Sequence, residues 1–427
     1  MACCARLRPC HGFQSMGAFG TTTTSIRIPR AYNIGGPTTI AAGSRLPIPP
    51  RSFVRSSESS SPRIRSYSFR AASSPDSDGD DEDDDDGRAR VLFLGTPDVA
   101  ATSLESIHEA SRLPGCPYRL VGVVTQPPKR RKRGGKETPS PVGIVAERLG
   151  LRVLCPERAR DTNFLDEVER AMRPDLCITA AYGQYLPKRF LSLPKFGTLN
   201  VHPSLLPRWR GSSPVQRSLE AGDEVVGVSV LFTVSRMDAG PIIVQETTAV
   251  DGNEQATTLL PRLFDIGTRR LIDALPGVIG GEITFDTAIV QDESLVREAG
   301  MIDSSEGQLW PANMTAIQCH NRVRGFSMWP GTFVYVRVGD DDDDDDESSS
   351  TSREPVKVKV IESRVLDETA EPTNVIEIGP RKGDGLRLVC ADGSVLELLR
   401  VQPATRNVMD AKSFDTLRGE YGTKGGG

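Results

Sequence analysis

The sequence predicts an α/β protein of two domains: an N-terminal doubly wound, mostly parallel sheet and a small C-terminal OB-like β-barrel. Three observations predict it. From Arg90 to about Leu275, short continuous apolar runs alternate with segments of helical period, the pattern of strands buried on both faces and joined by helical crossovers. From about Ile283 the pattern changes to short alternating strands separated by Gly and Asp turns, which suits a small antiparallel barrel. A length of 427 residues also exceeds one ordinary core.

Ahead of this region lie two segments of extreme composition. Residues 1–70 contain ten arginines, no lysine and a single acid, Glu58. That is the composition of an organellar transit peptide, expected to be disordered, and it points to a mitochondrial matrix or plastid stroma. Residues 71–87 form an acidic linker that repels itself and stays extended. The net charge of −5 hides the character of the rest. Without residues 1–87 and the acidic run Asp340–Glu347, 42 basic residues stand against 39 acidic ones, a mild excess compatible with a polyanionic partner. The cysteines are scattered without a C-x-x-C pair, which argues against a metal site or a disulfide framework. No apolar stretch reaches membrane-spanning length, so no membrane partner is expected.

In chain order, Arg90–Leu94 reads as a buried strand ending in the Gly95-Thr96-Pro97 loop, followed by a helix over Val99–Ala110. With one glycine only, this is not a dinucleotide fingerprint. A strand Leu120–Thr125 leads into a loop with six basic residues in eight positions, Lys129, Arg130, Arg131, Lys132, Arg133 and Lys136. Such a loop is either a solvated or localisation-type patch or an arm that contacts phosphates. A helix over Pro141–Leu149, a strand Arg152–Leu154, a helix Phe164–Met172 and a strand Leu176–Ala180 follow, then the turn Ala181–Pro187. Val226–Val234 is another strand, and Leu260, Phe264, Leu271 and Leu275 form the core stripe of a helix in which Pro261 sits early. Residues 283–299 read as an interdomain linker, 300–415 as the barrel with a solvated insertion at 340–352, and 416–427 as a disordered tail.

Gly197–Gly211 (GTLNVHPSLLPRWRG) carries the clearest chemistry. Leu199 and Val201 belong to a short buried strand ended by Pro203. Alternation along a strand puts Asn200 and His202 on one face, at the C-terminal end where open α/β sheets hold ligands. An imidazole can move a proton near neutral pH, and an amide N–H can stabilise an oxyanion, so the pair suits acyl transfer. The bland alternative is a chance Asn-x-His with its histidine satisfied in the fold. A third candidate, Asp238, lies in the turn-rich loop Ser235–Pro241, where aspartates often serve only as turn formers.

Asn200-Val201-His202-Pro203-Ser204-Leu205-Leu206-Pro207 resembles the signature of the folate-dependent formyltransferases, and Arg208–Arg217 is similar to the branch of that family acting on methionyl-tRNA. Phe93–Pro97, Ala181–Pro187, Met237–Ile242, Gly307–Trp310 and Val323–Thr332 resemble other segments of the same family, and the 36 residues from His202 to Asp238 match its spacing. The resemblance covers about residues 90–410. It implies a formyltransferase fold over 88–282 and a tRNA-binding barrel. It also implies an enzyme that moves the formyl group of 10-formyltetrahydrofolate to the α-amine of initiator methionyl-tRNA, as a monomer and without a metal.

Catalytic roles fall by resemblance on Asn200, His202 and Asp238. Asn200 and protonated His202 would stabilise the oxyanion while Asp238 orients His202 and helps remove the amine proton. The folate pocket falls on Ser204, Leu205, Leu206, Pro207, Tyr182, Gly183, Tyr185, Leu186 and Pro187. Tyr185 stands where the family has an aliphatic residue, so it either packs on a pterin or fills core. Contacts to tRNA fall on Arg130, Arg131, Lys132, Arg133, Lys136, Arg208 and Arg210. The loop is more basic than the family's, with Lys132 before Arg133 in place of a glycine. A small-molecule formyltransferase or a formyltetrahydrofolate hydrolase would share Asn200, His202 and Asp238 without needing the basic loop or the barrel.

Overall fold

The structure, a computed structural model, describes residues 26–27, 86–130, 135–338, 356–372, 375–378 and 385–413. The expected acidic insertion, the tail after 413 and all of 1–85 except Ile26–Arg27 lie outside the described residues.

Strands β1 (Ala89–Gly95), β2 (Tyr118–Val124), β3 (Val153–Leu154), β4 (Leu176–Ala180), β5 (Thr198–His202), β6 (Val225–Phe232) and β7 (Ile242–Ala249) form one sheet in the order β7-β6-β5-β4-β1-β2-β3. The five strands from β5 to β3 are parallel, and β6 and β7 join antiparallel. Central β1 is apolar at every inner position because both faces are covered. Its Val91 and Phe93 meet α1 (Asp98–Ser111) and α5 (Ala256–Gly280) on one face. Leu92 and Leu94 meet the other, with Phe164 and Leu165 of α3 (Thr162–Glu167). Helix α2 (Pro141–Arg148), capped by Ser140, packs beside α1. The strand order reverses at β1, between β4 and β2, so the loops after β1 and β4 border the crevice where such sheets bind ligands.

Helix α5 begins earlier than the periodicity predicts. Its start at Ala256 puts Pro261 past the first turn, and a second proline, Pro276, also lies inside it. The buried stripe is Leu259, Leu263, Phe264, Leu271 and Leu275, with Leu260 only half-buried. Packing of this stripe over β5 and β6 outweighs the two missing backbone donors.

The C-terminal strands β8 (Thr332–Val338), β9 (Val356–Thr369), β10 (Val375–Ile378), β11 (Leu386–Val389), β12 (Ser394–Pro403) and β13 (Met409–Asp410) pair antiparallel, and a β9–β12 pairing curls the sheet into a barrel. Val334, Val336, Val358, Val360, Leu396 and Leu398 alternate inward to form its core. Ile26–Arg27, inside the stretch expected to be disordered, pair with β8 and β10. Among the described residues those two edges have no other strand beside them, and edge backbone recruits any extended segment.

The barrel docks on the N-terminal domain through α6 (Ala316–Gly325), which packs on α4 (Pro214–Glu220) so closely that a Cβ on Gly325 would lie 2.8 Å from the Gln216 carbonyl. Arg217 pairs with Glu306 at 2.7 Å, and Arg322 with Glu220 at 3.0 Å. Buried His320 donates from Nε2 to the Gly252 carbonyl at 3.0 Å and accepts at Nδ1 from the Ser363 hydroxyl at 3.0 Å, a tautomer assigned from the network.

Burial holds the His320 imidazole below its ordinary 6.5, Arg324 adds to this, and the bond to Gly252 opposes it. The unfolded chain therefore takes up this proton first as pH falls, so the His320 contribution is whole above about pH 6.5 and is lost below it. Urea midpoints of wild type at pH 7.5 and 5.5 should differ by more than those of His320→Gln. Gly227 of β6 has no room for a side chain, a Cβ there meeting the Glu246 carbonyl at 2.1 Å and Leu205 Cδ2 at 2.5 Å. Gly227→Val should cost roughly 1–3 kcal/mol in urea unfolding, and an unchanged midpoint would contradict this packing.

Candidate active site

Strand β5 sets the first two groups. Its register pairs Asn200 with Thr179 of β4, and the Thr179 hydroxyl donates to Asn200 Oδ1 at 2.9 Å. That bond fixes the amide with its NH2 turned outward. One hydrogen points at Asp238 Oδ1, 3.4 Å from Nδ2, and the other remains available. Val201, between them, points into the core. The His202 ring is buried; its Nε2 donates to the Trp209 carbonyl at 3.1 Å, and its Nδ1 lies 3.7 Å from Asp238 Oδ1. Both ring nitrogens thus face oxygens.

The third group arrives from the loop between β6 and β7. Asp238 sits at φ +49, a left-handed conformation that costs a non-glycine residue about 1–2 kcal/mol. Its Oδ2 accepts from the Gly211 N–H at 3.0 Å, and its side chain is 14% exposed. Two residues on, Gly240 packs so closely under Phe232 that a Cβ would fall 1.7 Å from the Phe232 carbonyl. The structure therefore brings Asn200, His202 and Asp238 together around one carboxylate.

The loop after His202 is tied down from below. Ser229 Oγ donates to the Ser204 carbonyl at 2.7 Å and accepts from Leu206 N at 3.1 Å and Gln245 Nε2 at 2.8 Å. Ser204 is buried with its hydroxyl on the Arg208 carbonyl, and Leu206 is buried against Leu231 and Ile242. Only Leu205 and Pro207 of that expected pocket stretch are half-exposed.

In the turn after β4, Ala181 and Gly183 have φ of +46 and +82 and lie exposed. The side chains of Tyr182 and Leu186, both expected in the pocket, are instead in the core, where burial pushes the Tyr182 phenol up. The Tyr182 backbone carbonyl faces the crevice and accepts from Thr96 Oγ1 at 2.9 Å and Gln126 Nε2 at 3.4 Å. Pro187 caps the short helix Lys188–Leu191. Tyr185 does not fill core; it is 64% exposed and donates to the Ser235 carbonyl at 3.1 Å, joining this turn to the Asp238 loop.

Of the cationic candidates, Lys129–Arg130 pairs with Glu137–Thr138 as a small hairpin. Arg130 and Lys136 are exposed, with Arg130 3.6 Å from Glu137. Arg131, Lys132 and Arg133 lie outside the described residues. Arg208 pairs with Asp223, which also accepts from Trp209 Nε1 at 2.7 Å. Arg210 departs from expectation. It is only 5% exposed, and its guanidinium is occupied by Gln291 Oε1 at 2.7 and 3.0 Å and Glu293 at 2.9 Å, so it cannot reach a phosphate. Hydrogen bonds from Arg210 hold the Glu293 carboxyl below the usual carboxylate range.

Sequence reasoning missed Thr179 and Gln291. Strand pairing could have suggested Thr179, whereas Gln291 lies 53 residues beyond Asp238 in a stretch that reads as a connector. Two clefts elsewhere, about 130 Å³ between α1 and α5 and about 300 Å³ at the domain junction beside His320, touch none of Asn200, His202 and Asp238.

The family model described as formyl transferase matches residues 89–275, and that described as formyl transferase, C-terminal domain, matches 302–418. A methionyl-tRNA formyltransferase of Methylobacterium sp. is 35% identical over 339 residues, 78% of this chain and 98% of that protein. One of Macrococcus caseolyticus is 32% identical over 326 residues, 76% of this chain and 94% of that protein. A crystal structure of WlaRD, a sugar 3N-formyl transferase with dTDP and 5-N-formyl-THF, has a TM-score of 0.51 at 15% identity, covering 75% of this chain and 99% of that one; this likeness bears on the fold alone. Matched through both domains and along nearly the whole length of such relatives, the chain belongs to the methionyl-tRNA formyltransferase family.

Proposed function

We propose that this protein transfers the formyl group of 10-formyltetrahydrofolate to the α-amine of initiator methionyl-tRNA. The observation that carries the reading is the convergence of Asn200 Nδ2 and His202 Nδ1 on one oxygen of Asp238, at 3.4 and 3.7 Å. The names of the relatives supply the substrate class, and the family supplies the formyl-folate donor.

Acyl transfer asks three things of these side chains. The amine nitrogen adds to the formyl carbon and turns its carbonyl into an oxyanion. Asn200 offers the amide hydrogen not given to Asp238, and the buried His202 offers its Nδ1 edge. The amine must also lose a proton, and Asp238, aligned through the Gly211 N–H, is the group placed to take it up. The bond from formyl carbon to folate N10 then breaks, N10 takes a proton, and formamide and tetrahydrofolate remain. Tyr185, Gly183, Leu205 and Pro207, around the reversal of strand order, form the side on which we place the folate.

The exposed basic hairpin carrying Lys129, Arg130 and Lys136 supports placing the acceptor end of the RNA on that side, where cations bind phosphates by releasing counterions. The arginine-rich, acid-poor stretch 1–70 supports delivery to an organelle that starts translation with formylmethionine.

The reading is tested by incubating the protein with 10-formyltetrahydrofolate and charged initiator tRNA and following formylmethionine on the RNA. Wild type should formylate. Asn200→Ala, His202→Ala and Asp238→Asn should each lower kcat by about 10²–10⁴ with far smaller changes in KM. Release of formate, or formylation of a small amine with none on the RNA, would contradict the substrate assignment.

A further inference from the structure

The segment that reads as a connector between the domains is built into the catalytic loop. Ile289 and Ile242 exchange two backbone hydrogen bonds, at 2.7 and 2.9 Å. Arg297–Glu298 pair in parallel with Arg208–Arg210. Ala299 N donates to the Arg210 carbonyl at 2.6 Å, and the Ala299 carbonyl accepts from Ser213 N at 3.1 Å. Gly211, at φ +130, passes so close that a Cβ would lie 2.5 Å from the Ala299 carbonyl.

Within this strap, Gln291 reaches the carboxylate by two routes. It is 6% exposed, and its Nε2 donates both hydrogens, to the carbonyls of Asp238 at 2.8 Å and Gly240 at 2.7 Å. Its Oε1 accepts twice from Arg210, at 2.7 and 3.0 Å. All four hydrogen-bonding positions of the amide are therefore used. The first route braces the backbone of Asp238 in a left-handed conformation that an aspartate keeps only when its surroundings force it. The second holds Arg210, whose neighbour Gly211 donates its N–H to Asp238 Oδ2 at 3.0 Å. The side chain thus fixes Asp238 through its main chain and through its carboxylate partner.

We infer that Gln291 is a positioning residue for the reaction, setting where the Asp238 carboxylate stands relative to Asn200 and His202. This rests on the reading of those three residues as the acyl-transfer site. Gln291 touches no reacting atom in this account; it acts through Asp238. Gln291→Met keeps the length and volume of the side chain and removes all four bonds. Gln291→Glu keeps the acceptor for Arg210 but turns carboxylate oxygen toward two carbonyls.

The test uses the full chain, assayed below the Tm of each variant, with initiator methionyl-tRNA and 10-formyltetrahydrofolate. Both variants should lose kcat by roughly ten- to a hundredfold, with KM for either substrate within about threefold of wild type. In an Asp238→Asn background, Gln291→Met should cost less than about threefold, because the carboxylate that it places is already gone. The Gly211 amide should exchange its hydrogen faster in Gln291→Met than in wild type. An unchanged kcat, or equal losses in both backgrounds, would overturn the inference and leave Gln291 as a stabiliser of the fold. If wild type fails to formylate methionyl-tRNA, the proposed function falls, and the exchange measurement still decides the positioning: unchanged Gly211 exchange overturns it.

Discussion

The architecture of the site depends on one carboxylate held off the end of a sheet. Asp238 collects the Asn200 amide and the His202 ring on one oxygen and the Gly211 N–H on the other. The contacts come from the end of β5 and from the loop after it, and the carboxylate from the loop after β6, so the sheet order and both loops must be right at once. No single one of these bonds is strong. A carboxylate that accepts from several fixed donors is nevertheless pinned in direction, and direction is what proton transfer and oxyanion stabilisation require.

The cost of that arrangement is borne by the surrounding packing. Asp238 and Trp209 both have positive φ, and Gly240 admits no Cβ beneath Phe232. Local strain of this kind persists only where neighbours over-determine it. Here the neighbours are Ser229 and Gln245 under the first loop and Gln291 behind the second. The buried Gln291 suits the task, because its one amide satisfies two carbonyls and two arginine donors at once. The strap carrying Gln291 also leads directly to the barrel, so the substrate-facing loops and the second domain share one continuous piece of chain.

Much of this was legible in the sequence because local chemistry and global fold agree there. The alternation of β5 forced Asn200 and His202 onto one face, and the uninterrupted apolar run of β1 announced a central buried strand. The barrel strands appeared wherever Gly and Asp broke the alternation. What stayed hidden involves long-range satisfaction of polar groups. Arg210 reads as one more cation in a basic loop, and only the fold shows Gln291 and Glu293 consuming it. Tyr182 and Leu186 lie in the expected pocket segment, but a left-handed residue at Ala181 turns their side chains into the core. Residues 283–299 lack the periodicity of any element because their bonds reach single residues of distant segments, Ile242 at the start of β7 and Arg208–Ser213 after β5.

The measurement that bears most directly on this account is the activity of Gly240→Ala. A methyl group there cannot coexist with the Phe232 carbonyl, so the backbone between Phe232 and Gly240, which carries Asp238, must shift. Gly240→Ala should give a folded protein whose formylation of methionyl-tRNA falls by at least about 10² at saturating substrates. Activity within about threefold of wild type would show that the reaction tolerates a displaced carboxylate, and would contradict the central role given to Asp238.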